Sequence, residues 1–143
     1  MKKLLSLLGL VMVCSLSFGQ KADDITGVWL TEGGKSKIEI TKGEKKYSGK
    51  VIWLKEPNRA DGTPKLDKNN VDASLRNRKI IGLPVIQNFE WDDDLYEDGS
   101  IYDPENGKTY SCEITWKDIN TLNVRGYIGF SLLGRDTVWK RVK

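Results

Sequence analysis

Eight carboxylates fall between Glu90 and Glu105 with no Lys or Arg among them. Calcium would need several such oxygens bent round one centre. The spacing does not match an EF-hand loop, and Trp91, Leu95 and Tyr96 interrupt it, so a solvated hairpin is expected. Asp67, Asn69, Asn70 and Asp72 raise the same question and read as a turn followed by a helix cap. Paired carboxylates could serve glycoside hydrolysis, one as acid and one as base or nucleophile, but no spacing singles out a pair. Cys112 alternates in step with Tyr110, Ile114 and Trp116, which points to a buried, inert thiol rather than a nucleophile. The chain contains no His. That excludes Ser-His-Asp and Cys-His nucleophiles, HExxH zinc chemistry and His-ligated haem. No catalytic residue, metal ligand or cofactor is singled out, and no glycine-rich phosphate loop is present.

The elements that must position any site are strands. Period-two alternation is cleanest in Thr109–Lys117, where Tyr110, Cys112, Ile114 and Trp116 share a face. Tyr47, Gly49, Val51 and Trp53 do the same over 46–55, and Leu122 and Val124 oppose Asn123 and Arg125. Turn chemistry at Gly33-Gly34, Lys42-Gly43-Glu44, Asp98-Gly99, Asp103–Gly107 and Asp118–Asn120 separates the runs. The strands are expected at 27–31, 36–42, 46–55, 83–90, 99–103, 109–117, 121–128 and 134–142. Eight short strands in a meander predict an all-β fold, a small antiparallel up-and-down barrel, with an open two-sheet sandwich as the alternative. Residues 56–79 break the pattern. They form a long polar connection in which Asp72 can cap a short helix over Ala73–Arg78.

Residues 1–19 read as a signal peptide: Lys2 and Lys3, then an apolar run from Leu4, then small residues before a cleavage site after Gly19 or Gln20. The run is short for a stable membrane span, and Val13 stands where an acylated Cys14 would want a small residue. Export to the periplasm or the exterior follows, with residues 20–143 as one domain. Cleavage after Gly19 leaves 124 residues with 21 basic and 20 acidic side chains. Such a balance argues against a nucleic-acid partner. Cys112 then stands alone, so the core must supply the stability that no internal disulfide can. The seven lysines and two glutamates of residues 35–55 read as edge protection and solubility.

Several blocks together resemble a known family. Asp67–Arg78 followed by Gly82-Leu83, then Gly99–Tyr110, Val124–Gly129 and Leu133–Val142, with Gly27-Val28-Trp29 at the start, are similar to the exported bacterial family of unknown function DUF2147. Val71 departs from the family's usual proline there. The resemblance covers essentially residues 20–143 and implies a small exported protein with no established activity. Gly27-x-Trp29 and Arg141 also resemble the lipocalin-like (calycin) pattern, in which an early Trp and a late Arg close one end of a barrel. That implies Trp29 and Arg141 as a closing pair, the guanidinium stacked over the indole.

A small barrel can hold one modest ligand in its mouth, with 56–79 covering or shaping it. The expected lining is Trp53, Tyr102, Tyr110, Trp116, Arg125 and Tyr127. Arg125 and Tyr127 fall inside or outside according to which face lines the lumen. The leading reading is a non-enzymatic small-ligand-binding module. A structural role meeting an envelope protein is the second. A His-free enzyme built on carboxylates is the third.

Overall fold

The computed structural model describes residues 21–142. The leader expected over 1–19 and its cleavage site lie outside the described residues. Eight strands close into an antiparallel barrel in simple up-and-down order. They are β1 (Gly27–Leu30), β2 (Ser36–Lys42), β3 (Tyr47–Leu54), β4 (Pro84–Asp92), β5 (Leu95–Asp103), β6 (Lys108–Asp118), β7 (Thr121–Tyr127) and β8 (Arg135–Arg141). At the seam, Trp29 pairs with Arg141 and Leu30 with Lys140. The sheet therefore has no free edge, and the open sandwich is excluded.

Two expectations need correction. Asp98-Gly99 is not a hairpin turn. The chain reverses at Asp93 and Asp94, so β4 runs on to Asp92 and β5 begins at Leu95. Asp98 is instead a bulge: Tyr96 pairs with Ile114 and the next pair is Gly99 with Cys112, with Asp98 at φ 59°. Gly99 is required there for space, because a Cβ would lie 2.5 Å from the Phe89 ring. The helix after Asp72 is also shorter than expected, a single 3₁₀ turn over Ala73–Leu75. Its cap is present, the Asp72 carboxylate accepting the Ser74 N–H at 2.9 Å.

The end of the barrel that carries the β2–β3, β4–β5 and β6–β7 hairpins is filled. Trp29, Tyr47, Phe89 and Tyr96 are buried there with Ile40, Ile114 and Leu122. Their rings meet edge to face, Tyr47 on Tyr96 at 5.5 Å and Trp29 on Trp116 at 5.9 Å. A 3₁₀ turn, Ala22–Ile25, stoppers this end and buries Ile25. Phenols hold it: Tyr96 donates to the Ala22 carbonyl at 2.6 Å, and Tyr47 donates to the Asp23 carboxylate. Among the described residues no helix is long and apolar enough to cross a membrane.

Candidate functional site

The opposite end is hollow. The connections 31–35, 55–83 and 104–107 contribute to the mouth of a cavity of about 1270 Å³, and the connection 128–134 lies at the same end. The strands give it an apolar wall, including Ile38, Val51, Val85, Ile101, Val124 and Trp139. The interlocked cluster of Trp29, Tyr47, Phe89, Tyr96 and Trp116 lies in the other half, and here the rings of Tyr102, Tyr110 and Trp139 stand on the wall.

The long connection is fastened rather than loose. Leu66 bridges Lys79 and Asn58 bridges Pro64, so the segment folds back on itself. Ile80 and Leu83 are buried against the barrel, and Gly82 donates to the Val51 carbonyl at 2.7 Å. The principal clasp is Asp67, which has no exposed surface. Its carboxylate accepts the Tyr102 O–H at 2.5 Å, the Asn70 amide at 2.8 Å and Arg78 at 3.0 Å. A buried carboxylate is tolerated only with partners of this kind. They also account for the Asp67–Asp72 cluster, whose leading carboxylate is occupied by an arginine and two donors. Burial and the bond to Asp67 push the Tyr102 phenol up to about 12. A second clasp joins the segment to the β5–β6 turn, where the Asn69 amide donates to Glu105 O at 2.8 Å and Pro104 O at 3.2 Å. Gly107 lies under it at φ +72°, and any Cβ there would run into the Asn69 carbonyl.

Charge at the mouth is unbalanced. Seven Lys or Arg and four Asp or Glu line the cavity. The four acids are engaged. Glu56 lies 3.8 Å from Lys65 and Glu105 3.9 Å from Lys35. Asp103 accepts from the Glu105 N–H at 2.9 Å, and Glu32 from the Val138 N–H at 3.2 Å. Lys55, Arg59, Lys68, Arg76 and Arg135 form no ion pair among the described residues.

The six residues expected to line a ligand are split three ways. Tyr102 and Tyr110 are on the cavity wall. Trp116 points inward but belongs to the filled end, against Trp29 and Tyr96. Trp53, Arg125 and Tyr127 are on the outer surface, for two reasons. Along β3 the alternation that put Trp53 in line with Val51 is broken by a bulge: Val51 pairs with Ile38, but Trp53 pairs with Lys37. Ile52 is the extra residue, so Trp53 turns out to meet the Lys37 ammonium at 4.9 Å and Leu54 turns in. Along β7 the inner row is Leu122, Val124 and Gly126, which turns Arg125 and Tyr127 outward. There Arg125 bonds Asp136 at 2.8 Å and the Ser131 carbonyl at 2.5 Å.

Trp29 and Arg141 sit at the filled end. The guanidinium carbon is 4.3 Å from the Trp29 ring centroid. The same group donates to Asp24 O at 2.7 Å, Thr26 O at 3.3 Å and Ile119 O at 3.2 Å, and the Trp29 N–H donates to Ile25 O at 2.9 Å. Arg141 thus ties three chain segments across the base of the barrel. Cys112 is buried and its thiol is pushed up to about 12 by burial, which removes the thiolate that nucleophilic chemistry needs.

Sequence reasoning missed the aliphatic wall and the basic loops. A usable signal was present. The long connection joins the ends of β3 and β4, so residues near those ends border the mouth, and the halves of β3 and β4 there carry Val51 and Val85.

The comparisons fit this geometry. A family model described as an uncharacterized protein conserved in bacteria, DUF2147, matches residues 27–141. A solved structure is similar, with a TM-score of 0.72 at 24% identity over 82% of each chain. It is protein HP1028 from Helicobacter pylori, described as belonging to the lipocalin family. The likeness is one of fold. No curated protein matches the chain.

Proposed function

The chain belongs to the bacterial DUF2147 family, and we propose that it is a non-enzymatic binding protein whose barrel holds one small amphiphilic molecule. The carrying observation is the contrast of a roughly 1270 Å³ hollow with an apolar wall and a mouth rich in unpaired cations. An apolar body fits between Ile38, Val51, Ile101 and Val124, and a polar or acidic group fits the mouth beside Tyr102, Tyr110 and the loop cations. The volume is somewhat above the roughly 300–1,000 Å³ of most small-ligand sites, because it takes in the open mouth as well as the apolar interior. The lipocalin description of the Helicobacter barrel agrees with this use. The engaged state of the mouth carboxylates and the inert thiol support a role without catalysis. The Lys2-Lys3 start and the apolar run after it support export to the periplasm or the exterior.

The test uses Gly126, which lies on the wall. A Cβ there would meet its nearest atoms at ordinary contact, 3.5 Å and beyond. Gly126→Phe therefore puts a ring into the cavity with no clash at its Cβ. Native mass spectrometry of protein from its own host should show a retained molecule of one small mass. Delipidated protein should bind an anilinonaphthalene sulfonate probe saturably, and Gly126→Phe should weaken that by about tenfold or more. Empty protein with no saturable probe binding overturns the proposal.

A role through an envelope protein is the second reading. Lys45 and Lys50 of the β2–β3 hairpin favour it, being exposed and in no ion pair among the described residues. Co-purification from envelope extracts tests it.

A further inference from the structure

Large apolar side chains are rarely left exposed together on one loop. Among the described residues eight are exposed, and seven of them are at the open end: Trp53, Val71, Ile81, Ile128, Phe130, Leu132 and Leu133. Only Ile119 is at the filled end. Four of the seven belong to the β7–β8 connection, with Phe130 75%, Leu132 90% and Leu133 78% exposed.

This connection is built, not slack. Its 3₁₀ turn Ser131–Leu133 closes on itself through Leu133 N to Phe130 O at 3.0 Å and Gly134 N to Ser131 O at 3.2 Å. Arg125 holds it to the barrel through the Ser131 carbonyl. Gly134 packs so closely that a Cβ would lie 2.8 Å from the Gly126 carbonyl. With its backbone held this way, the turn presents Phe130, Leu132 and Leu133 outward.

Charge names the occupant. The unpaired Lys55, Arg59, Lys68, Arg76 and Arg135 lie at the same end, all exposed. A short apolar turn beside scattered unpaired cations matches a bilayer interface with anionic headgroups, which accepts apolar side chains and counters the cations. A folded protein partner would call for an interface core depleted of charged residues, lysines especially, whereas this turn stands at the same end as five unpaired cations.

We propose that the open end of the barrel docks on an anionic membrane surface, with Phe130, Leu132 and Leu133 entering the interface and the mouth cations meeting the headgroups. The cavity would then open towards the lipid. Docking does not depend on the cavity being occupied.

The experiment is co-sedimentation of protein purified from its own host with sucrose-loaded vesicles. One set is pure phosphatidylcholine, and the other is equimolar phosphatidylcholine and phosphatidylglycerol. Binding is expected on the phosphatidylglycerol vesicles, about tenfold weaker on pure phosphatidylcholine and weakened by high salt. The paired variant Leu132→Asp/Leu133→Asp should lower it about tenfold or more with the melting temperature kept, since these side chains are exposed. Arg59→Glu/Lys68→Glu should lower it on the anionic vesicles alone. Gly126→Phe should leave it unchanged, which separates docking from the ligand proposal. Absence of vesicle binding overturns the proposal, as does binding indifferent to Leu132 and Leu133. Cross-linking of the turn to an envelope protein without vesicle binding overturns it in favour of a protein partner.

Discussion

The two ends of this barrel use similar bonds for different purposes. At the filled end a phenol, Tyr47, donates to Asp23 and fastens a stopper; at the hollow end a phenol, Tyr102, donates to Asp67 and fastens a rim. The stopper sits on interlocked rings, with Trp29, Phe89 and Tyr96 wholly buried. The rim sits over Ile and Val side chains that line the cavity. One half therefore supplies packing and the other supplies volume. Stability and binding are separated along one axis, so each can be changed with little effect on the other.

The largest expected effect tests that separation directly. Phe89→Ala or Trp29→Ala should cost about 3–5 kcal/mol, the usual range for deleting a buried ring. Ile101→Ala, on the cavity wall, should cost about 1–2 kcal/mol, because it enlarges an existing space instead of opening a new one. Urea midpoints with unchanged slopes measure both. Equal losses at the two ends would break the comparison.

Next in size is the rim clasp. Asp67→Ala leaves the Tyr102 hydroxyl, the Asn70 amide and Arg78 without their shared acceptor. A loss of about 2–3 kcal/mol is expected, from unsatisfied buried donors and a broken ion pair. The added signature is local: amide exchange should speed up in 65–80 and stay slow in β6 and β7. Uniform acceleration would show that the rim is not a separate unit.

These two tests also mark what could be read from the residues alone. The strand order, the closure and the end loop came from alternation and turn chemistry, which are local and strong in Thr109–Lys117 and Asp118–Asn120. The misplaced features are those where one extra residue changes the face. Trp53 turned outward because Ile52 bulges, and Asp98-Gly99 became a bulge because Phe89 packs over the glycine. Neither depends on nearby sequence; both depend on a neighbouring strand. Arg125 and Tyr127 had a face that only closure decides. Asp67 looked like a turn residue because nothing near it in sequence announces Tyr102, 35 positions away.

Alkaline pH should weaken both ends together. Tyr47 and Tyr102 are each pushed up to about 12, first by burial and then by the hydrogen bond to an aspartate. A phenol raised in the fold above its unfolded value near 10 favours the folded state fully below that value. The contribution declines as pH rises from about 10 and is gone above about 12. On the acid side the sign reverses at the stopper. The Tyr47 hydrogen bond, then Lys42, hold Asp23 below the ordinary carboxylate range. Its contribution is present above that range and is lost as pH falls through the lowered value. Denaturation midpoints against pH should therefore fall at both extremes. Tyr47→Phe should flatten both limbs, and Tyr102→Phe the alkaline one. An unchanged alkaline limb in the double variant would assign the loss to other groups.

The smallest effect on stability is expected at the β7–β8 turn. Arg125 reaches Asp136 at 2.8 Å on a partly exposed surface, and pairs of that kind are worth less than about 1 kcal/mol. Arg125→Ala should therefore barely move the urea midpoint. It also removes the bond to the Ser131 carbonyl, and the turn that presents Leu132 and Leu133 loses its fixture to β7. Vesicle binding should fall, though by less than in Leu132→Asp/Leu133→Asp, because the apolar side chains remain and only their presentation is loosened. Arg125→Lys keeps the charge but not the forked geometry that reaches both partners, so it should behave like the alanine variant. Full binding by Arg125→Lys with weak binding by Arg125→Ala would mean that charge, not presentation, is what this residue contributes to the open end.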